Sequence, residues 1–296
     1  MPIGLITYDD SSRREDLMDF ITNISPKETP LLSGLQKVQA SGTLHEYLLQ
    51  SYSAAGDNAQ VESWAFTSVD HTQPSRLSNN TQVFADAVQV SGTELAVNVA
   101  GGDPMKNQIA KNMVEHAKDI ELALLRGSRA SGSSGVARRM VGILNAISTN
   151  ATTRNSGSSL GETTYNDIME MIYATTDQTT DEVYVGSTLR RDISGFTAGN
   201  TKYVDAADKR LIRPVDVYEG DFGLQKIFLH RNMGNGANAK ELLAIKSDLF
   251  AVATLRPTNF EKLTKDGDRE RGQIISELTI EHRAQAASAA VFGFTG

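Results

Sequence analysis

The sequence predicts a mixed α+β fold in which one long helix is preceded by an extended segment and followed by an α/β insertion. Three observations predict it. Residues 43–90 combine strand-like stretches with turn-forming residues. Residues 104–126 carry the start and stop signals of one long helix. Residues 136–248 alternate short helical and short strand patterns, and two longer strand patterns follow them.

The composition argues against several classes of protein. The chain has 296 residues and no cysteine, so it offers no disulfide and no thiolate ligand for a metal. Its net charge of −7 is spread evenly, whereas a protein that grips duplex DNA specifically carries a basic patch. The first twenty residues lack the apolar run of a signal peptide, and no apolar stretch is long enough to span a bilayer. We therefore expect a protein without a membrane partner, made and kept in a cytosol-like space.

Residues 1–40 are predicted to form an N-terminal arm and a short helix. Pro26 and Pro30 each follow a residue that can cap a helix, Ser25 and Thr29. The helix should pass through Leu31 and end before Gly42.

Residues 41–92 are predicted to form an extended loop. Residues 43–51 and 81–90 have strand composition and are expected to pair, with turn formers such as Pro74 and Asn79 between them. Because an isolated two-stranded hairpin is only marginally stable in water, this loop needs a surface to pack against.

Residues 93–135 are predicted to contain a long helix, at 104–126, and a flexible boundary. Asp103 supplies the N-cap, Pro104 the first helical position and Gly127 the stop. At 1.5 Å per residue the helix is about 35 Å long. A single apolar stripe follows it: Met105, Ile109, Met113, Ala117, Ile120 and Leu124. The glycine- and serine-rich stretch 127–135 is expected to be a flexible linker.

The rest of the chain is predicted to form an inserted α/β domain, at 136–248, and returning strands, at 249–296. Helical patterns occupy residues 165–175 and 188–196. Strand patterns occupy residues 182–185, 226–231, 241–245, 250–255 and 274–284.

Three stretches resemble known binding motifs, but each lacks a residue or a structural element that the motif requires. The zinc-protease pattern that begins at His45 needs a second histidine at position 49, which is Leu49. The glycine-rich stretch 127–134 has Ser133 where a phosphate-binding loop needs lysine. The stretch 234–239 has dinucleotide-site spacing, but a turn into another strand is expected there rather than the required helix. The five histidines are scattered, so we expect no catalytic site, no metal and no cofactor.

Several short motifs cover nearly the whole chain in order: "ETPLL" at 28–32, Gly42-Thr43-x-x-Glu46, "RRMVGI" at 138–143, "DFG" at 221–223, "LRP" at 255–257, "LTKDGD" at 263–268 and "ELTIE" at 277–281. These motifs and the order of segments resemble the major capsid proteins of tailed double-stranded-DNA bacteriophages, in particular the SU-ten type major head proteins. Tyr47 stands where the resemblance leads us to expect tryptophan, so an aromatic residue is kept.

The resemblance implies both a fold and a function. The fold has an N-terminal arm, an extended β-hairpin loop, a peripheral domain whose spine helix is 104–126, and an inserted axial domain. The function is self-assembly into hexamers and pentamers of an icosahedral virion head around DNA, which is contacted only non-specifically. Implied partners are portal and decoration proteins and either a separate scaffold or none, with assembly in the host cytoplasm. Two alternatives stay open: an encapsulin-like nanocompartment shell, and an enzyme whose site is assembled from distant residues.

By the same resemblance, the extended loop lies across a neighbouring subunit. Its acidic excess then calls for basic partners on that neighbour, and its aromatic residues would supply the affinity. The intersubunit contact candidates are Glu46, Tyr47, Asp57, Glu62, Trp64, Phe66, Arg76, Lys106, Lys111 and Lys118. No lysine occurs between Val38 and Met105, so the loop cannot supply the amine for the isopeptide cross-link found in some capsids of this fold.

Overall fold

The computed structural model describes residues 29–50, 52, 55–65, 73–97, 102–153, 159–196, 217–233, 240–265 and 267–294. The chain divides into two compact units. The described part of the smaller unit comprises Ala85–His116 and Asn259–Ile275. The larger unit comprises Thr29–Phe84, Ala117–Thr258 and Ser276–Gly296. The predicted arm upstream of residue 29 and the glycine pattern at 234–239 lie outside the described residues.

The smaller unit contains helix α2 (Gly92–Ala96) and the first half of helix α3 (Pro104–Arg126). As predicted, the Asp103 carboxylate caps α3, accepting hydrogen bonds from the backbone N–H groups of Met105 (3.0 Å) and Lys106 (3.4 Å). His116 is buried, and its Nδ1 lies 2.5 Å from Asp86 Oδ2. His116 is therefore packed inside the chain rather than exposed on the surface of α3.

The predicted apolar stripe of α3 is buried only in its C-terminal half. Ile120 and Leu124, in the larger unit, are 2% and 0% exposed, whereas Met113, in the smaller unit, is 38% exposed. Met105 and Ile109 are only partly buried. The helical period fixes which residues share a face but not how much of that face a single chain covers.

A four-stranded sheet has the strand order β1-β10-β11-β4. Its strands are β1 (Gln36–Gln39), β4 (Gln82–Ser91), β10 (Phe250–Leu263) and β11 (Arg269–His282). Strand β1 pairs in parallel with β10, with Gln36 opposite Ala251 and Gln39 opposite Thr254.

A six-stranded sheet in the larger unit has the strand order β5-β12-β9-β6-β8-β7. The strands are β5 (Ala151–Thr153), β6 (Glu182–Val185), β7 (Val217–Gly220), β8 (Gly223–Leu229), β9 (Leu242–Ile245) and β12 (Ala289–Phe292). Helices α4 (Ile143–Ala146), α5 (Glu162–Thr176) and α6 (Ser187–Ser194) complete this part of the chain.

The larger unit has two hydrophobic clusters. One joins the C-terminal half of α3 to the returning strands, through residues such as Leu31, Ile120, Leu124, Phe250 and Ile280. The other packs α5 and α6 against the six-stranded sheet, through residues such as Tyr165, Ile168, Val183, Leu189 and Val291. The first cluster also contains Met140, Tyr184 and Leu243 from the segment 136–248, and the second contains Val291 from the segment 249–296.

Helix α1 (Pro30–Gly34) begins at a proline, as expected, and is capped by a distant carboxylate. The two oxygens of Glu121, on α3, accept hydrogen bonds from the N–H groups of Leu31 (2.9 Å) and Leu32 (2.8 Å). Glu121 is 2% exposed and also lies 2.8 Å from His230 Nε2. Sequence reasoning missed this residue because a helical glutamate is usually a solvated one.

The prediction of a flexible linker at residues 127–135 is wrong. Ala130 and Ser133 form antiparallel bridges with Arg139 and Val136, respectively. Gly127 instead enables a close backbone approach: its carbonyl accepts a 2.8 Å hydrogen bond from the N–H of Gly142. A Cβ added to Gly142 would lie 2.5 Å from the Gly127 nitrogen, so a side chain at 142 would force the backbone apart.

Candidate functional site

The extended loop contains an antiparallel hairpin of β2 (Leu44–Leu49) and β3 (Ser75–Asn80). Leu44 lies opposite Asn80 and Leu49 opposite Ser75. The expected pairing of residues 43–51 with 81–90 is therefore wrong, because 82–91 is strand β4 of the four-stranded sheet. The strand prediction at His45, against a zinc-binding helix, is confirmed.

The two faces of β2 differ in exposure. His45, Tyr47 and Leu49 are partly buried, whereas the alternating residues Leu44 and Leu48 are 47% and 67% exposed. One face of the hairpin therefore contacts its own chain, and the other presents leucines outward.

The inward face is attached to the end of β11 by four side chains, which we call the hairpin root: His45, Tyr47, Glu281 and His282. His45 Nε2 lies 2.6 Å from Glu281 Oε1. The Tyr47 hydroxyl lies 2.8 Å from His282 Nδ1 and accepts a hydrogen bond from the His282 backbone N–H at 3.1 Å. Burial raises the pKa of Tyr47 to about 12, and burial together with the positive charge of Arg129 lowers the pKa of His282.

Asn79 fixes the end of β3 through all four of its side-chain hydrogen bonds. Its Nδ2 donates to the carbonyls of Ile280 (2.8 Å) and Val141 (3.2 Å). Its Oδ1 accepts from the N–H groups of Asn80 (2.9 Å) and Val141 (3.0 Å). Asn79 is fully buried, so this network ties the hairpin to β11 and to the segment before α4.

Glu277 on β11 forms a second polar cluster beside the root. Its carboxylate contacts the Thr81 hydroxyl at 2.7 Å, Arg138 at 2.5 Å and Arg256 at 3.0 Å. Burial opposes ionisation of Glu277, but the hydrogen bonds from Thr81 and Arg256 and the charge of Arg138 hold its pKa below the ordinary value. Glu277 thus stays charged and joins three separate segments of the larger unit.

The hairpin tip, which we define as residues 52 and 55–65, is exposed and carries three large apolar side chains among polar and small residues. Tyr52, Val61 and Trp64 are 99%, 77% and 54% exposed. The backbone N–H of Trp64 donates to the Val61 carbonyl at 3.1 Å, in a turn where Ser63 adopts a positive φ of 67°. Exposed large apolar side chains grouped in this way mark a surface that other molecules contact.

Four charged candidates, Glu46, Arg76, Lys106 and Lys111, have partners within the chain. Arg76 lies 3.4 Å from Glu46 across the hairpin. Lys106 lies 3.4 Å from Asp103, and Lys111 lies 3.8 Å from Glu115. These pairs are exposed, and exposed pairs contribute about 0–1 kcal/mol, so their partners could be exchanged at little cost.

The remaining candidates fall in three different environments. The Asp57 carboxylate accepts a 3.1 Å hydrogen bond from the Ala59 N–H, and Glu62 lies in the turn before Trp64. Lys118 is partly buried on α3, and Phe66 lies outside the described residues. Asp57, Glu62 and Trp64 thus belong to the exposed tip, whereas Tyr47 belongs to the root.

The described residues hold no group of three or more histidine or acidic side chains that could bind a metal ion. The buried histidines His116 and His230 are paired with Asp86 and Glu121, respectively. Within the described part of the chain, no helix combines the length and apolar character that crossing a membrane requires.

A hairpin rooted in its own chain, with an apolar tip exposed, is typical of a protein that binds other protein chains. A model of the SU10 major capsid protein family matches residues 5–295. The chain therefore belongs to this family of major capsid proteins.

One curated relative is the major capsid protein of Escherichia phage Phieco32, which is 27% identical over 128 residues. That match spans 43% of this chain and 36% of the relative, so the chain matches only about a third of the length of this relative.

Solved structures share the fold over almost the whole chain. A chain of the capsid of a native GTA particle has a TM-score of 0.69 at 9% identity, covering 96% of both chains. A chain from Microbacterium phage Oxtober96 has a TM-score of 0.67 at 11% identity, covering 95% of this chain and 96% of that one. The holo-SrpI encapsulin complex from Synechococcus elongatus has a TM-score of 0.60 at 9% identity, covering 96% and 92%. The predicted tailed-phage capsid fold is confirmed.

Proposed function

We propose that this chain is the repeating subunit of a tailed-phage head and that it self-assembles into the hexamers and pentamers of a closed icosahedral shell. The shell encloses double-stranded DNA and contacts it non-specifically, in keeping with the net charge of −7. The observation that carries the proposal is the family match over residues 5–295. The protein then acts by assembly rather than by catalysis.

The hairpin supplies one of the contacts between subunits. The tip offers Val61 and Trp64 as apolar anchors and Asp57 and Glu62 as acidic groups at its edge. On the neighbouring subunit, Lys106, Lys111 and Lys118 are the proposed basic partners. Because exposed ion pairs stabilise weakly, the pairs set the register of the contact and the apolar side chains give most of its affinity.

Other partners follow from the same role. A head shell needs a portal at one vertex and a scaffold or an equivalent to set its size, and decoration proteins can bind its outer surface. We propose that the shell is assembled in the host cytoplasm and remains in the virion.

Electron microscopy of the purified full-length chain tests the proposal. The expected result is closed shells built of hexamers and pentamers, and DNA-filled shells of the same subunit in particles isolated from producing cells. A chain that forms only discrete oligomers, with catalytic turnover, would overturn it.

The encapsulin likeness supports a second candidate, a shell that encloses a cargo enzyme. The contents of the isolated particles separate the two candidates. Mass spectrometry and nuclease protection should show genomic DNA in a phage head and a single cargo protein in a nanocompartment.

A further inference from the structure

We propose that the hairpin root is an acid-sensitive hinge, in which protonation of His282 releases the β2–β3 hairpin from strand β11. The inference concerns a single chain and goes beyond the assembly role. It gives the extended loop two positions, one held above neutral pH and one freed in acid.

The hydrogen bonds of Tyr47 fix the protonation state of His282. Among the described residues, the hydroxyl of Tyr47 has two partners, the backbone N–H and the ring Nδ1 of His282. The backbone N–H is a donor, so the hydroxyl proton has only Nδ1 as its acceptor. We therefore assign the lone pair to Nδ1, so that His282 is neutral with its proton on Nε2 while the hairpin is attached.

A second proton on the His282 ring would add a positive charge that no new hydrogen bond or free carboxylate at this site would stabilise. It would turn Nδ1 into a donor and leave the hydroxyl proton of Tyr47 without an acceptor. Two guanidinium groups, those of Arg129 and Arg283, already act on the root from outside β2. The carboxylate at the root, Glu281, is engaged by His45 at 2.6 Å and by Arg283 at 2.7 Å.

The other histidine of the root responds differently. His45 Nε2 lies against the Glu281 carboxylate, so this nitrogen is the donor. A proton added to the opposite nitrogen leaves that donor in place and adds an attraction to Glu281. His282, and not His45, is therefore the group whose protonation detaches the hairpin.

The sign of the pH dependence follows from the lowered pKa of His282 in the attached state. Burial and the charge of Arg129 depress this pKa below its ordinary value of 6.5, and release, by exposing the ring to water, raises the pKa back towards that value. Attachment is therefore fully stable above pH 6.5 and is lost as the pH falls from 6.5 through the lower pKa. Within that window the ratio of attached to released hairpin falls by up to about tenfold per pH unit, because release binds one proton.

Hydrogen–deuterium exchange of the full-length chain between pH 7.5 and pH 5 tests the hinge. Amide protection, corrected for intrinsic exchange, should fall by about tenfold in β2 and β3 as one proton is taken up. Protection in α5 should stay constant, which shows that the chain has not unfolded. Electron microscopy at each pH keeps the assembly state under control. Constant protection of β2 and β3 across this range would overturn the proposal.

Two matched variants identify the sensor. His282→Asn keeps an acceptor for the Tyr47 hydroxyl but cannot be protonated, so its hairpin protection should not vary with pH. His45→Gln should keep the pH dependence of the wild type. A variant His282→Asn that still releases its hairpin in acid, or a variant His45→Gln that does not, would each contradict the assignment.

If His282→Asn fails to fold, NMR titration of the wild-type histidines decides the question. The His282 ring signal should titrate below 6.5, with the same midpoint as the hairpin amides. Midpoints that differ would refute the link.

Discussion

At the end of β3 the β2–β3 hairpin is held by the buried polar side chain of Asn79, whereas at its tip the same hairpin exposes large apolar side chains. Asn79 is fully buried and makes four hydrogen bonds, while Tyr52 is 99% exposed. The difference reverses the usual distribution of polar and apolar side chains. It teaches that directional hydrogen bonds fix the position of the hairpin within its own chain, and that the apolar tip is available to another chain.

Removal of the tip should have the largest effect on assembly and almost none on folding. A variant in which a short glycine–serine turn replaces residues 51–73 keeps β2, β3 and the root intact. We expect a folded chain, with a melting temperature close to that of the wild type, that forms no shells in electron micrographs. Normal shells from this variant would show that the tip makes no essential contact between subunits.

An asparagine-to-leucine substitution should lower the free energy of unfolding far more at the buried end of β3 than in the exposed tip. Asn79→Leu leaves several buried backbone groups without partners and should lower the free energy of unfolding by about 3 kcal/mol or more. Asn58→Leu, in the exposed tip, is the matched control and should change it by less than about 0.5 kcal/mol. Denaturant titrations measure both. Equal losses of stability in the two variants would mean that the hydrogen bonds of Asn79 do not stabilise the fold.

A smaller difference in stability is expected between variants of the two tyrosines in this region, Tyr47 and Tyr52. Tyr47→Phe removes a buried hydroxyl that contacts two nitrogens of His282, at a cost of about 1 kcal/mol or somewhat more. Tyr52→Phe alters a hydroxyl that is already in water and should leave stability unchanged. Thermal melts of both variants check this, and a destabilised Tyr52→Phe would place Tyr52 in contact with its own chain.

The last prediction is that the extended loop forms no covalent cross-link between subunits. No lysine occurs between Val38 and Met105, so neither root nor tip can form a lysine–asparagine isopeptide bond. Mature particles boiled in detergent should release a single band near 32.1 kDa. A ladder of linked subunits would place a reactive lysine outside the loop.

Elements specified by local signals were predicted well from the sequence. Helix α3 occupies 104–126 and β6 occupies 182–185, as predicted, because cap residues, glycine stops and apolar periods act within a few residues. Strand β3 was missed because Asn79 and Asn80 are typical turn residues. Here their side chains bond to Ile280 and Ala130, which are distant in the sequence.

The burial of two glutamates on β11 could not be predicted for a related reason. Glu277 and Glu281 alternate with Leu278 and Ile280 along β11, a pattern typical of a strand with one solvated face. Both glutamates are buried because their partners, among them Arg138 and His45, come from distant parts of the chain. The tip was easier to anticipate, because a long polar segment with scattered aromatic residues cannot form its own core.

The position of β12 also has a consequence for the order of events during synthesis. Ala289–Phe292 lies inside the six-stranded sheet, between β5 and β9. Translation proceeds from the N-terminus, so the ribosome must deliver the chain as far as residue 292 before this sheet can close. Strand β1 likewise waits for β10, more than two hundred residues later, before it has a partner. A nascent chain that has not reached residue 292 therefore lacks the strand that joins β5 to β9.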